Sequence, residues 1–250
     1  MDEKRMGLVG HLSDLKKMIT WIILGILAGF IIGYWKVDVI YGWMLNAIPV
    51  EQLAFYSPAE GFMVEIKIAF FAGIVLGFPV ICFALAWFVF PGLTPNERVW
   101  VPILILAGVA LFFIGCLVVL FAAMPSVLKF LFYVTADNME PMISLSKYLA
   151  FVMSMVIAGG VTMLIPYVIL VLIVTGIVSA EFFAKRRLWI IGIILSIGLV
   201  MSAGLDFLTI VILFVPAYLL FELALFLGRK WRQYIDKTNE KTNNVGGEVQ

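Results

Sequence analysis

Charge is the first thing this chain lacks. Asp, Glu, Lys and Arg together make up 13% of 250 residues, while 64% are hydrophobic. The mean hydropathy is +1.11, which no water-soluble domain of this size tolerates on its surface. The chain therefore reads as an integral membrane protein. Seventeen basic and sixteen acidic residues nearly cancel, so the net charge points to no nucleic-acid partner. Reactive side chains are also scarce. The single histidine, His11, precedes the first apolar run, so no Ser-His or Cys-His dyad can form at membrane depth, and no HExxH helix is present to hold zinc. Asp206, beside the last two runs, has no aspartate partner in another run, so a two-aspartate hydrolase site fails as well. Cys82 and Cys116 both fall inside apolar runs and read as small buried hydrophobes rather than a disulfide framework. No run carries an ionisable residue near its middle, which argues against proton relays and ion coupling. These absences imply no cofactor and no metal, and they direct attention to recognition at a surface.

What is present is a series of runs long enough to cross a bilayer, since a spanning helix needs about 20 apolar residues. Six segments are predicted: Met18 to Trp35, Ile68 to Phe90, Val99 to Ala123, Tyr148 to Thr175, Leu188 to Gly204 and Phe207 to Gly228. The first reads as a retained anchor, because "IIGYWKVD" offers no small-residue cleavage site. With six spans assumed, thirteen of the seventeen Lys and Arg residues fall on the side that holds both termini, so both ends are expected in the cytoplasm. The two longer loops, 36 to 67 and 124 to 147, are then expected outside. The expected organisation is a cytoplasmic amphipathic segment over 1–17, an all-α six-helix membrane domain over 18–228, and a polar tail over 229–250 without fixed structure.

Within the spans, Gly25, Gly29 and Gly33 recur every four residues, as do Gly73 and Gly77, which lets helix backbones approach. Pro79, Pro166 and Pro216 are expected to kink their helices rather than end them. Spans five and six read as short against a hydrocarbon core of about 30 Å, the last bracketed by Asp206 and Glu222. Thinning of the bilayer, snorkelling of the charged residues, or shielding by a neighbouring helix would each accommodate that mismatch.

Two cytoplasmic stretches hold anions on the side that otherwise collects cations. In "MGLVGHLSDLKKMITW", Leu8, Leu12 and Leu15 recur at helical spacing, which predicts a short amphipathic helix leading into the first span. Asp14 lies off that stripe, where it reads either as an i,i+3 partner of Lys17 or as an acceptor for a guest. In "FPGLTPNERVW", Thr94 and Pro95 suit a helix start, and Glu97 lies in the first turn, where it favours the helix dipole. Glu97 next to Arg98 in so short a turn has a second reading, again as an acceptor.

At these residues the sequence resembles the TatC family, the multispanning receptor of the twin-arginine protein translocase. "HLSDLKKM" is similar to the family's His-Leu-x-Glu-Leu-Arg motif, "SPAEGFMVEIK" to its Ser-Pro-x-Glu-x-Phe stretch, and "FPVICFALAWFVFPGLTPNER" to the run that ends in Pro-x-Leu-x-x-x-Glu-Arg. "LFFIGC", "YLAFVMSMVIAGGVTMLIP" and "DFLTIVILFVPAYLLFE" extend the likeness from His11 to Glu222. The sequence departs from the family pattern at Asp14 (a glutamate there), Lys16 (an arginine), Leu164 (often a polar residue), "AGLD" (usually Thr-Pro-Pro-Asp) and Ile210 (often a glutamine).

The resemblance implies a non-enzymatic receptor in the cytoplasmic (inner) membrane of a prokaryote. It implies binding of the twin-arginine signal peptides of folded precursors, and recruitment of single-span TatA/TatB-type partners for translocation driven by the protonmotive force. Membrane lipid and other copies of the chain are its further implied partners. Glu97 and Asp14 would accept the arginines, within motifs that include Arg98 and Lys16, and Phe88 and Leu93 would line the pocket. Val200, Met201, Asp206 and Glu222 would face a partner helix. The runner-up from another class is a small-molecule permease, which should show flux when reconstituted alone.

Overall fold

In lipid no water satisfies a free backbone N–H or C=O, so apolar runs must close their hydrogen bonds internally. This chain does so with helices almost throughout. The computed structural model describes residues 2–46, 53–54, 57–89, 101–135, 143–201 and 207–247. Helix α1 is Asp2–Trp35 and α2 is Val37–Asn46; strand β1 is Leu53–Ala54; helix α3 is Pro58–Val89. Helix α4, Val101–Val118, passes through a π turn, Val119–Ala123, into α5, Met124–Thr135. Strand β2 is Ile143–Ser144, followed by α6, Leu145–Val174, the short α7, Ala180–Lys185, then α8, Arg187–Met201, and α9, Phe207–Gly247. Five stretches are long and apolar enough to cross a membrane, namely Leu12–Trp35, Ala59–Phe88, Val101–Phe130, Leu145–Val174 and Phe207–Trp231, and the shorter apolar Arg187–Val200 joins them. The protein is an all-α polytopic membrane protein.

Several boundaries differ from the sequence reading, each for a local reason. The amphipathic segment is no separate helix: α1 runs 34 residues without a break into the first span. The third span does not stop at Ala123. Pro125 has no N–H to give and its ring crowds the carbonyl four residues back, and the wider π turn just before it lets the helix continue to Thr135. The first long loop contains α2, and α3 begins at Pro58, ten residues ahead of Ile68. The last helix is not short, because Glu222 is neutralised within the protein, as described below, and the apolar stretch reads on to Trp231. Beyond that, α9 continues past Lys237 to Gly247, where adding a residue to an existing helix needs no new nucleus. Pro79, Pro166 and Pro216 all lie inside helices that run on past them.

The helices pair through small residues. A Cβ on Gly29 would stand 2.9 Å from the Gly73 carbonyl oxygen, and one on Gly77 would stand 2.8 Å from that of Gly25, so α1 and α3 touch backbone to backbone. A second such seam joins α4 to α6, where a Cβ on Gly115 would meet the Gly159 carbonyl oxygen at 2.6 Å. Beside it Phe78 stacks on Phe112, ring centroids 3.7 Å apart. One core cluster, with Met44, Ile68, Phe112, Val119 and Leu149, fills the junction of α2 to α6. Another, with Met163, Ile173, Ile194, Phe221 and Leu225, joins α6 to α7, α8 and α9. Gly176, at φ 71°, ends α6 in a left-handed turn, its N–H bonded to the Ile173 carbonyl.

The two long loops meet at one end of the bundle. Strands β1 and β2 pair in parallel, Leu53 with Ile143 and Ala54 with Ser144. Glu60, in the first turn of α3, accepts hydrogen bonds from the Ser144 hydroxyl at 2.7 Å and the Ser146 N–H at 3.2 Å, and so helps to cap α6. Lys67 donates to the Ser146 hydroxyl at 2.7 Å. At this end the Tyr148 hydroxyl is buried with no hydrogen-bond partner among the described residues.

Candidate functional site

The end of the bundle away from these loops carries Asp14, Lys16 and Phe88. The α1–α3 seam fixes their relative height. Residue 25 stands against 77, 29 against 73 and 33 against 69, an antiparallel register that, extended along both helices, sets Asp14 level with Phe88. Phe88 is half-buried in the last turn of α3. Glu97, Arg98 and Leu93 lie outside the described residues, on the segment that leaves α3 at this height.

Asp14 sits 4.0 Å from the Lys17 ammonium, one helical turn on, with side chains 43% and 67% exposed respectively. So open a pair is worth only a few tenths of a kcal/mol. The carboxylate can therefore exchange this partner for a guest cation at little cost. Lys16 is exposed, and its carbonyl accepts from the Thr20 hydroxyl at 2.9 Å. Both sequence readings of Asp14 thus meet in one geometry: it has its i,i+3 lysine and remains accessible.

A cavity of about 280 Å³ adjoins this end of α3, a feature the sequence reading missed. Its walls come from α3 (Cys82, Leu85), α4 (Val101, Ile105) and α6 (Tyr167, Val171), elements far apart in the chain. Its fixed polar groups are Tyr167, whose hydroxyl donates to the Leu104 carbonyl at 2.7 Å while its ring packs on Gly108, and Thr175, whose hydroxyl donates to the Val171 carbonyl at 2.8 Å. A shallower groove along Phe83, Trp87 and Leu106 shares Ala86, Val101 and Ile105 with it. The mostly apolar lining suits an aliphatic or aromatic chain. Leu164, at the departure from the family pattern, is half-buried against the core.

The residues expected to face a partner helix are spread along α8 and α9. Val200 is 80% exposed near the end of α8. Met201 closes that helix, its side chain outside the described residues, as is Asp206. Glu222 is engaged within the protein: it pairs with the Arg187 guanidinium at 3.2 Å and accepts from the Tyr218 hydroxyl at 3.0 Å. Val200 and Glu222 are therefore not brought together. They lie toward opposite ends of the hairpin, since Arg187 begins α8 and Val200 nearly ends it.

Comparison with known proteins settles the family. The model of Sec-independent protein translocase protein (TatC) matches residues 10–216. The chain belongs to the TatC family. It is 30% identical over 231 residues to the Sec-independent protein translocase protein TatC of Carboxydothermus hydrogenoformans, covering 92% of this chain and 95% of that one. Similarity to TatC of Escherichia coli K12 is 28% identity over 233 residues, 91% and 90% of the two chains. A crystal structure of the twin arginine translocase receptor TatC in the detergent DDM superposes with a TM-score of 0.75 at 29% identity, covering 87% of this chain and 99% of that one. As a TatC protein the chain is a multi-pass membrane component of protein translocation and not an enzyme.

Proposed function

We propose that this TatC protein is the receptor of its translocase, binding paired-arginine signal peptides of folded precursors at the end of the bundle that carries Asp14 and the 90–100 segment. In this reading both termini and that end face the cytoplasm, six helices span the inner membrane, and translocation draws on the protonmotive force once TatA/TatB-type single-span partners are recruited. The observation that carries the proposal is the α1–α3 register, which sets Asp14 level with Phe88, where the segment bearing Glu97 departs. A guanidinium is planar, always charged and forked, so two arginines are best matched by two carboxylates, while lysine is a point charge without the fork. The weakly held Asp14 supplies one acceptor and Glu97 the other. The signal's apolar part then has Phe88, Leu93 and the adjoining cavity to rest on. Val200 and Met201 offer the apolar surface for a partner's helix, and Asp206 and Glu222 its polar flanks.

Photocrosslinking from position 97 in native membranes tests the reading. A precursor with paired arginines should crosslink well above one with paired lysines. Glu97→Gln, with the probe moved to position 93, should lower the arginine signal about ten-fold, as loss of a charge-assisted hydrogen bond predicts. Undiminished crosslinking in Glu97→Gln would overturn the assignment.

A further inference from the structure

The cations beside α8 stand at two heights. A Cβ on Gly228 would lie 2.6 Å from Ile173, so α6 ends level with Gly228. On the antiparallel α8–α9 pair, however, a Cβ on Gly198 would face the Ile210 backbone at 3.7 Å, a register that sets Arg187 near Phe221 and lets it grip Glu222, six residues before Gly228, so α8 starts about 9 Å deeper along the bundle than α6 ends. Helix α7 makes the descent, its Phe183 and Ala184 packed on the core beneath α9. The step draws Lys185, Arg186 and Arg187 below Arg229 and Lys230. Arg187 is neutralised by Glu222. Lys185 and Arg186 are exposed and have no carboxylate partner among the described residues, the nearest anion in sequence being the exposed Glu181.

The surroundings say what such cations meet. The Arg186 guanidinium lies over the Phe182 ring at 3.9 Å, and the Lys230 ammonium over Phe226 at 4.7 Å. Leu188 and Trp189, next along α8, are 83% and 75% exposed. Cations laid on outward-facing rings, followed at once by exposed apolar side chains on a spanning helix, mark the boundary between hydrocarbon and headgroups. We propose that Lys185 and Arg186 hold the phosphate of an anionic phospholipid, whose headgroup fills the step between α7–α8 and α9, with Arg229 and Lys230 above it. A zwitterionic headgroup carries its own cation and should bind there less well.

The full chain, purified in detergent and offered equal amounts of phosphatidylglycerol and phosphatidylcholine, is read by native mass spectrometry for retained lipid. The wild type should favour phosphatidylglycerol. Lys185→Gln with Arg186→Gln should cut that preference about ten-fold, on the usual strength of a cation near a lipid surface. Exchanging the two cations as Lys185→Arg with Arg186→Lys should keep it. Lys129→Gln with Lys147→Gln removes the same charge from two exposed positions elsewhere on the protein and should leave the preference within about two-fold of wild type. Wild-type preference in the 185/186 glutamine variant, or an equal fall in the 129/147 variant, would overturn the proposal. The single Arg186→Gln serves if the double variant does not fold, with a fall of about three-fold expected and an unchanged ratio overturning the site.

Discussion

In the seam between α1 and α3 a Cβ on Gly29 would press on the Gly73 backbone at 2.9 Å, whereas nothing lies within 4 Å of the Cβ position at Gly192 on α8. The same residue type does opposite things in the two regions. In the seam, glycine removes the side chain that would hold two backbones apart, and dispersion between the helices takes the place of a hydrophobic drive that lipid does not supply. On α8, glycine gains nothing from packing and leaves the helix with its intrinsic penalty. Gly198 is intermediate, its nearest neighbour Ile210 at 3.7 Å. The α8–α9 hairpin is held instead by side chains, through Ile194 clustered with Ala217 and Phe221 and through the Arg187–Glu222–Tyr218 cluster where α8 begins. The seam is therefore intolerant of added bulk, and the hairpin is sensitive to loss of specific side chains.

Four substitutions sharpen or break this contrast, each read as unfolding of the purified protein in detergent. Gly29→Leu should have the largest effect, about 3 kcal/mol or more of destabilisation, because the Gly73 backbone cannot yield. A variant as stable as wild type would mean that α1 and α3 do not pack as described. Glu222→Gln should be smaller, about 1 kcal/mol, since the pair it breaks is only partly shielded, with side chains 44% and 34% exposed. Combining it with Arg187→Ala should cost less than the sum of the two single changes. Gly192→Ala should have the smallest effect, and in the opposite direction, a stabilisation of about 0.5 kcal/mol from helix propensity alone. Destabilisation there would show that a neighbour packs on the bare face of α8.

The candidate site was legible in proportion to how local its parts are. Asp14 and its Lys17 partner lie one turn apart, so helical spacing alone places them together. The cavity lined by Leu85 and Ala86 was not legible, because Cys82, Val101 and Tyr167 come from three helices and no periodicity relates them. Glu222 reads in sequence as a charge that cuts the last span short. Its partner Arg187 stands 35 residues away, and only folding brings the two together.

By itself the sequence determined the solvent and the class of fold. Long apolar runs must close their own hydrogen bonds in lipid, so helices and the glycine faces of α1 and α3 follow from composition and spacing. The tertiary structure alone decided which small residues meet, how the π turn carries the third span past Pro125, how Glu60 reaches the start of α6, and how far α8 is recessed against α9. The reason is physical: hydrogen bonding within a helix is a local property of the chain, while the depth and pairing of helices depend on contacts between residues that the sequence holds far apart.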